Sequence, residues 1–207
     1  MALISLKRAS DNEPIAIEES NIIIGYDSTN GTKIEYINPF TGYVNIVEVA
    51  ETSSSISTVS TSLILLSFEL YPSDKGLINI NRILNMWDNS SSKAVISYDR
   101  GTQQKGRYVM NVDRTAVLVA MYTKQGYLSY AVESYSGLDI VFPAALGDIS
   151  AKFQNGEVLT IFGALDENNG TYIVDSVAHA VGQTTVTLDT IGVSDDADTT
   201  GYVMVKA

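Results

Sequence analysis

Apolar and polar residues alternate with a period of two along most of this chain, and the alternation breaks at turn-forming residues. Successive side chains of a strand point to opposite faces, so this pattern predicts half-buried antiparallel strands. Leu3 to Arg8 alternates and stops at Ser10-Asp11-Asn12. Pro14 to Tyr26 reads as two short strands about a polar kink. Asn30-Gly31 is a hairpin signal, because both residue types tolerate positive φ. Thr32 to Ile37 and Tyr43 to Val49 continue the meander around a turn at Pro39 to Gly42.

The same order of features then recurs with a period of about 60 residues. Ile64 to Leu70 stands for the first strand, Pro72 to Gly76 for its turn, and Leu77 to Asp88 for the kinked pair. Asn89 to Ser92 replaces the Asn30-Gly31 turn, Lys93 to Tyr98 follows, and Gly106 to Val112 closes the series. Five features in one order predict a duplicated meander, over about 3–58 and 63–124. Between the copies, Ser53 to Ser60 is crowded with hydroxyl side chains, which compete for backbone hydrogen bonds, and reads as a linker. Thr115 to Tyr122 is apolar enough to read as a buried strand.

Tyrosine and apolar positions alternate through 126–142, and Pro143 to Asp148 resets the pattern. From Ile149 the chain shows short strands at even spacing: Val158 to Phe162, Thr171 to Val177, Thr184 to Leu188 and Tyr202 to Val205. The expected fold is all-β: tandem antiparallel meander or barrel-like units followed by a small β-sandwich or barrel. The expected divisions are 1–62, 63–142 and 143–207.

Composition supports strand, since Ile, Val, Tyr and Thr recur while long Ala/Leu/Glu/Lys stretches are missing. Net charge is −11, and residues 139–207 hold 10 acids against Lys152 and Lys206 alone. A nucleic-acid binder needs a basic stripe to neutralise phosphates, so direct contact with DNA or RNA is not expected. Cysteine is absent, which removes disulfides, thiol nucleophiles and Cys-based zinc sites. The first residues lack the order of a signal peptide, and the apolar run Leu63 to Phe68 is too short to span a bilayer. Cytoplasmic synthesis without a membrane partner is the expectation.

Little in the sequence resembles a reaction centre, and no enzymatic activity or cofactor is expected. His179 is the only histidine, and no serine has a nucleophile-elbow setting. The carboxylate pairs Glu18-Glu19, Asp166-Glu167 and Asp195-Asp196 fall at turns, where acids are ordinarily solvated. Asp195, Asp196 and Asp198 place three oxygen donors within four residues, as a Ca²⁺ loop would, but no bidentate acid follows. Tyr127, Tyr130 and Tyr135 have two readings, an interface patch or core filling at strand spacing.

Two resemblances bear on role. Leu3 to Arg8, Pro14 to Ile17, Asn21 to Ile24, Gly31 to Ile34 and Val47 to Thr52 loosely resemble the meander of FlbD-like proteins. Phe153 to Gly163, Asn168 to Val177 and Thr184 to Leu188 resemble a β module of tailed-bacteriophage virion proteins, from which the loop Ser194 to Asp198 departs by its acidity. That resemblance implies a virion structural protein, with an auxiliary or decoration protein of the capsid as the first expectation. A neck, tail or head-fibre component is the alternative, and an adhesin or carbohydrate-binding module the one after it. The implied partners are other virion proteins, the major capsid protein or neck and tail subunits, with self-association left open.

Overall fold

The computed structural model of the chain describes residues 2–69, 75–101, 105–164, 168–189 and 200–207. The protein is mostly β and divides into two compact units, Met1–Gln125 and Gly126–Ala207.

The first unit contains one element series twice. It runs β1 (Leu3–Lys7), β2 (Pro14–Glu18), a 3₁₀ turn (Glu19–Asn21), β3 (Ile22–Ser28), β4 (Gly31–Ile37), β5 (Val44–Val49) and α1 (Ser53–Val59). It then runs again as β6 (Leu63–Ser67), β7 (Lys75–Asn79), a 3₁₀ turn (Ile80–Arg82), β8 (Ile83–Asp88), β9 (Ala94–Asp99), β10 (Lys105–Val109) and α2 (Arg114–Lys124). We term these repeats 1 and 2.

The correspondence reaches single hydrogen bonds. Each third strand has a β-bulge at the same place, between Ile22 and Ile24 in β3 and between Ile83 and Asn85 in β8. The end of each first strand bridges the end of the fifth, Arg8 to Val49 and Phe68 to Met110. Beside the bridges, Ala9 N–H donates to Glu48 O and Ala50 N–H to Lys7 O; Glu69 to Val109 and Asn111 to Ser67 repeat the pair.

Both segments between meanders are helices, which corrects the linker expected at Ser53 to Ser60 and the strand expected at Thr115 to Tyr122. Each has a side-chain N-cap at the same position. Thr52 Oγ1 accepts from Ser55 N–H, and Asp113 Oδ1 accepts from Ala116 N–H, satisfying an orphan donor of the first turn. The hydroxyls of α1 bond its own preceding turns, Thr58 to Ser54 O and Ser55 to Thr52 O, instead of unwinding it. Ile56 and Val117 are the buried apolar residues that tie the two helices down.

The repeats join through one strand pair. In the five-stranded sheet β5-β4-β3-β7-β6, β3 of repeat 1 pairs with β7 of repeat 2, with Ile24 opposite Ile78, Gly25 opposite Leu77 and Tyr26 opposite Gly76. β8, β9 and β10 form a three-stranded sheet, and β1 with β2 a two-stranded one. Two cores result. One gathers Ile4, Leu6, Ile17, Ile34, Val49 and Ile56, the other Ile23, Ile64, Phe68, Ile96, Met110 and Val117.

The second unit is one seven-stranded sheet, ordered β11-β17-β14-β15-β16-β13-β12. Its strands are β11 (Tyr127–Ala131), β12 (Ser134–Ser136), β13 (Asp139–Val141), β14 (Val158–Phe162), β15 (Gly170–Ala180), β16 (Gln183–Leu188) and β17 (Tyr202–Lys206). The long strand β15 is irregular between Val174 and Ser176, so its first half pairs with β14 and its second with β16. A bulge bends a strand, and Asn155 Nδ2 donates to the Asp175 carbonyl at that point. The two halves of the sheet then face each other across a single core, Leu159, Ile161, Val203 and Val205 meeting Ile140, Phe142, Val186 and Leu188.

This is a folded-over sheet whose end strands, β11 and β12, each have one strand neighbour among the described residues, and the described strands close no barrel. The division expected at 142/143 moves to 125/126. The physical reason is pairing: β11 lies against β17 and β13 against β16, so Tyr127 to Val141 is integral to the C-terminal sheet.

Candidate functional site

The residues singled out from the sequence separate once placed. Tyr135 is 2% exposed in the core of the second unit, and its hydroxyl donates to Thr200 O, so it fills the core. Tyr130 is half-buried, its ring 5.7 Å from that of Phe153 and edge-on to Phe142; burial pushes its hydroxyl pKa up. Tyr127, on β11, is half-buried like Tyr130. Asp195, Asp196 and Asp198 lie outside the described residues, as do Asp166 and Glu167. Among the described residues no three His, Asp or Glu side chains gather as a metal would require.

His179 has two polar neighbours. Its Nδ1 lies 3.0 Å from Thr184 Oγ1 and 3.7 Å from Asp148 Oδ1. A relay uses the two ring nitrogens for different partners, whereas both contacts here fall on one. Thr184 is fully buried, and its Oγ1 also accepts from Ile149 N–H. The group ties the β15–β16 hairpin to the segment between β13 and β14 that carries Asp148 and Ile149. Asp148 is held below the usual carboxylate range by hydrogen bonds from the Ser150 hydroxyl and N–H, with a smaller pull from His179.

Glu19, expected with Glu18 to be a solvated turn acid, is instead 5% exposed and forms the buried polar centre of the first unit. Glu19 Oε1 accepts from Thr61 N–H at 2.7 Å, Ser62 N–H at 2.5 Å, and the hydroxyls of Ser60 and Ser62. Burial pushes this carboxyl up, but the bonds outweigh it and its pKa falls below the ordinary value. The carboxylate is enclosed by donors of its own chain, so it pins the connection between the repeats.

What the surface offers is unpaired strand edge and exposed apolar side chain. β2 and β8 have no second strand neighbour among the described residues. Their counterparts in the other repeat, β7 and β3, are paired with each other. In the second unit, Val158 and Ile173 are exposed cross-strand partners. Val181 is fully exposed at the tip of the β15–β16 hairpin, in the left-handed region with φ 53°. A β-branched residue is rare there.

No described helix is long and apolar enough to cross a membrane. Compared with protein-family models, with curated proteins and with solved structures, the chain matches none.

Proposed function

We propose that this chain is a non-enzymatic structural protein of a tailed-bacteriophage particle, an auxiliary or decoration protein of the capsid. The observation that carries the assembly part is a repeated β unit whose outermost strands, β2 and β8, each keep one open edge among the described residues, while the matching edges of their counterparts are joined. An open strand edge is a template for another chain, and proteins that stay monomeric ordinarily blunt it. The virion part is supported by the resemblance of Phe153 to Leu188 to phage β modules. The acidity of the C-terminal unit suits an outer position, away from packaged DNA.

A neck or tail subunit is the second reading. It is favoured by the difference between the two free edges, since unlike edges join head to tail into rings or filaments. Mass spectrometry of purified particles tests the proposal. The chain is expected in stoichiometric amount, and its absence from particles overturns the virion reading. Binding to a glycan in solution would move the assignment to a carbohydrate-binding module.

A further inference from the structure

We propose that the chain joins to a second copy of itself, head to tail, by pairing β8 of one copy with β2 of the next. The junction copies the β3–β7 junction inside each chain. This deepens the assembly reading above by naming the partner, and it does not depend on which particle the protein serves.

The template is internal. β3 and β8 are counterparts, and so are β7 and β2. If a two-fold axis related the repeats, β8 would pair with β2 of the same chain, because β3 pairs with β7. Among the described residues β2 pairs with β1 alone. The operation that carries repeat 1 onto repeat 2 is therefore not two-fold. Applied again, it calls for a repeat 1 that belongs to another molecule, and such heterologous contacts build rings or filaments.

Burial at matched positions shows what is uncovered. Ile23, the bulge residue of β3, is 0% exposed; its counterpart Leu84 is 52% exposed. Leu63, at the start of β6, is 0% exposed; its counterpart Leu3 is 67% exposed. In each pair the covered residue lies at the internal junction and the open one faces the missing neighbour.

The helices repeat the lesson. α1 packs on β6 and β7 of the following repeat, where Ser57 Oγ donates to Leu63 O. α2 is apolar around much of its circumference, yet Val117 is its one fully buried residue. Leu118 stands where Ser57 stands, so in the proposed junction it meets Leu3 of the next copy.

Register follows from the template: Asn85 opposite Ile17, Met86 opposite Ala16 and Trp87 opposite Ile15. Inside the chain Gly25 faces Leu77, small against large. Met86 facing Ala16 reverses the sizes and keeps the combined volume similar. Asn85 in place of Ile24 makes this junction more polar than the internal one, so it is the reversible one of the two.

Cross-linking reads both partner and register, since the chain has no cysteine of its own. Paired residues across an antiparallel ladder have Cα atoms about 4.5–5.5 Å apart, within disulfide reach. The full-length Met86→Cys and Ala16→Cys variants, mixed and oxidised over a concentration series, are expected to give a heterodimer. Each alone stays monomeric, and the double variant gives a ladder of oligomers. Ile15→Cys, pointing to the opposite face, is expected not to cross-link to Met86→Cys. Leu3→Lys and Leu84→Lys alter exposed positions and are expected to abolish the ladder in the double-cysteine background with the circular dichroism unchanged. No cross-link in the mixture, or a dimer of Met86→Cys alone, overturns the junction. A chain found in particles without cross-linking would sink the junction and leave the proposed function. Cross-linking by a chain absent from particles would do the reverse.

Discussion

The carboxylate of Glu19 and the N–H of Ser62 meet at 2.5 Å, tying the turn after β2 to the start of β6. Glu19 has no equivalent in repeat 2, where Ile80 occupies its place. The bond is therefore specific to the crossing between repeats. Glu19→Gln removes the charge while keeping an acceptor, and is expected to cost about 1.5–3 kcal/mol of stability at pH 7, the worth of hydrogen bonds to a charged group. Because the folded-state pKa is lowered, this contribution is complete above the ordinary carboxyl value of 4.5 and is lost as pH falls through the folded value. Urea unfolding of both proteins against pH checks it. A difference that stays constant into acid would refute the charged bond.

Tyr98 lies across Gly106, its partner on the neighbouring strand, and stacks on Tyr108 with ring centres 5.5 Å apart. A Cβ on Gly106 would fall 2.2 Å from the Tyr98 ring. Gly106→Ala is expected to destabilise the first unit by about 1–3 kcal/mol through overpacking, and the Tyr98→Ala background is expected to remove most of that penalty. Chemical denaturation of the two single variants and the double variant tests the coupling.

The helix caps give a matched pair. Thr52→Ala and Asp113→Ala each delete one side-chain bond to the first turn, and each is expected to cost about 1 kcal/mol. Asp113 carries a charge at the positive end of its helix, so its variant is expected to lose more than the Thr52 variant at low ionic strength, and added salt is expected to narrow that gap. Thermal unfolding at low and at high salt separates them.

Val181 sits in a conformation that glycine or asparagine adopts more readily. Val181→Gly is expected to be neutral or to raise stability by up to about 1 kcal/mol, because relief of strain opposes the added freedom of the unfolded chain. A loss above that range would show that Val181 makes a contact in the folded protein. If the exposed tip serves binding, the same change weakens association with particles while stability holds.

Strands were legible where alternation is strict, as in Thr32 to Ile37, and turns where their chemistry is local, as at Asn30-Gly31. The two helices were not. Their local signal is one cap residue each, Thr52 and Asp113. α1 then runs through β-branched and hydroxyl side chains whose own preference is against helix, while α2 mixes Val117, Val119 and Thr123 with helix formers such as Ala116, Leu118 and Met121 in an apolar run that also suits a buried strand. Packing against the sheets, through Ile56 and Val117, decides the matter, and packing is invisible in a single segment. Pairing between distant strands was equally hidden: nothing near Tyr127 announces that β11 will lie beside β17. The free edges of β2 and β8 follow from that same non-local pairing, so the surface proposed for assembly had no local mark.

The order of synthesis gives the β3–β7 pair another meaning. When α1 has left the ribosome, every element of repeat 1 exists, yet β3 still lacks its outer neighbour. Ile24 must wait for Ile78, which arrives only with the first hairpin of the second series. Contacts so far apart in sequence slow folding. During that interval the nascent chain shows the same bare edge that the finished chain shows at β8. A polysome places many such chains side by side, so the bare edge of β3, the counterpart of the β8 edge, is one on which neighbouring nascent chains would mispair.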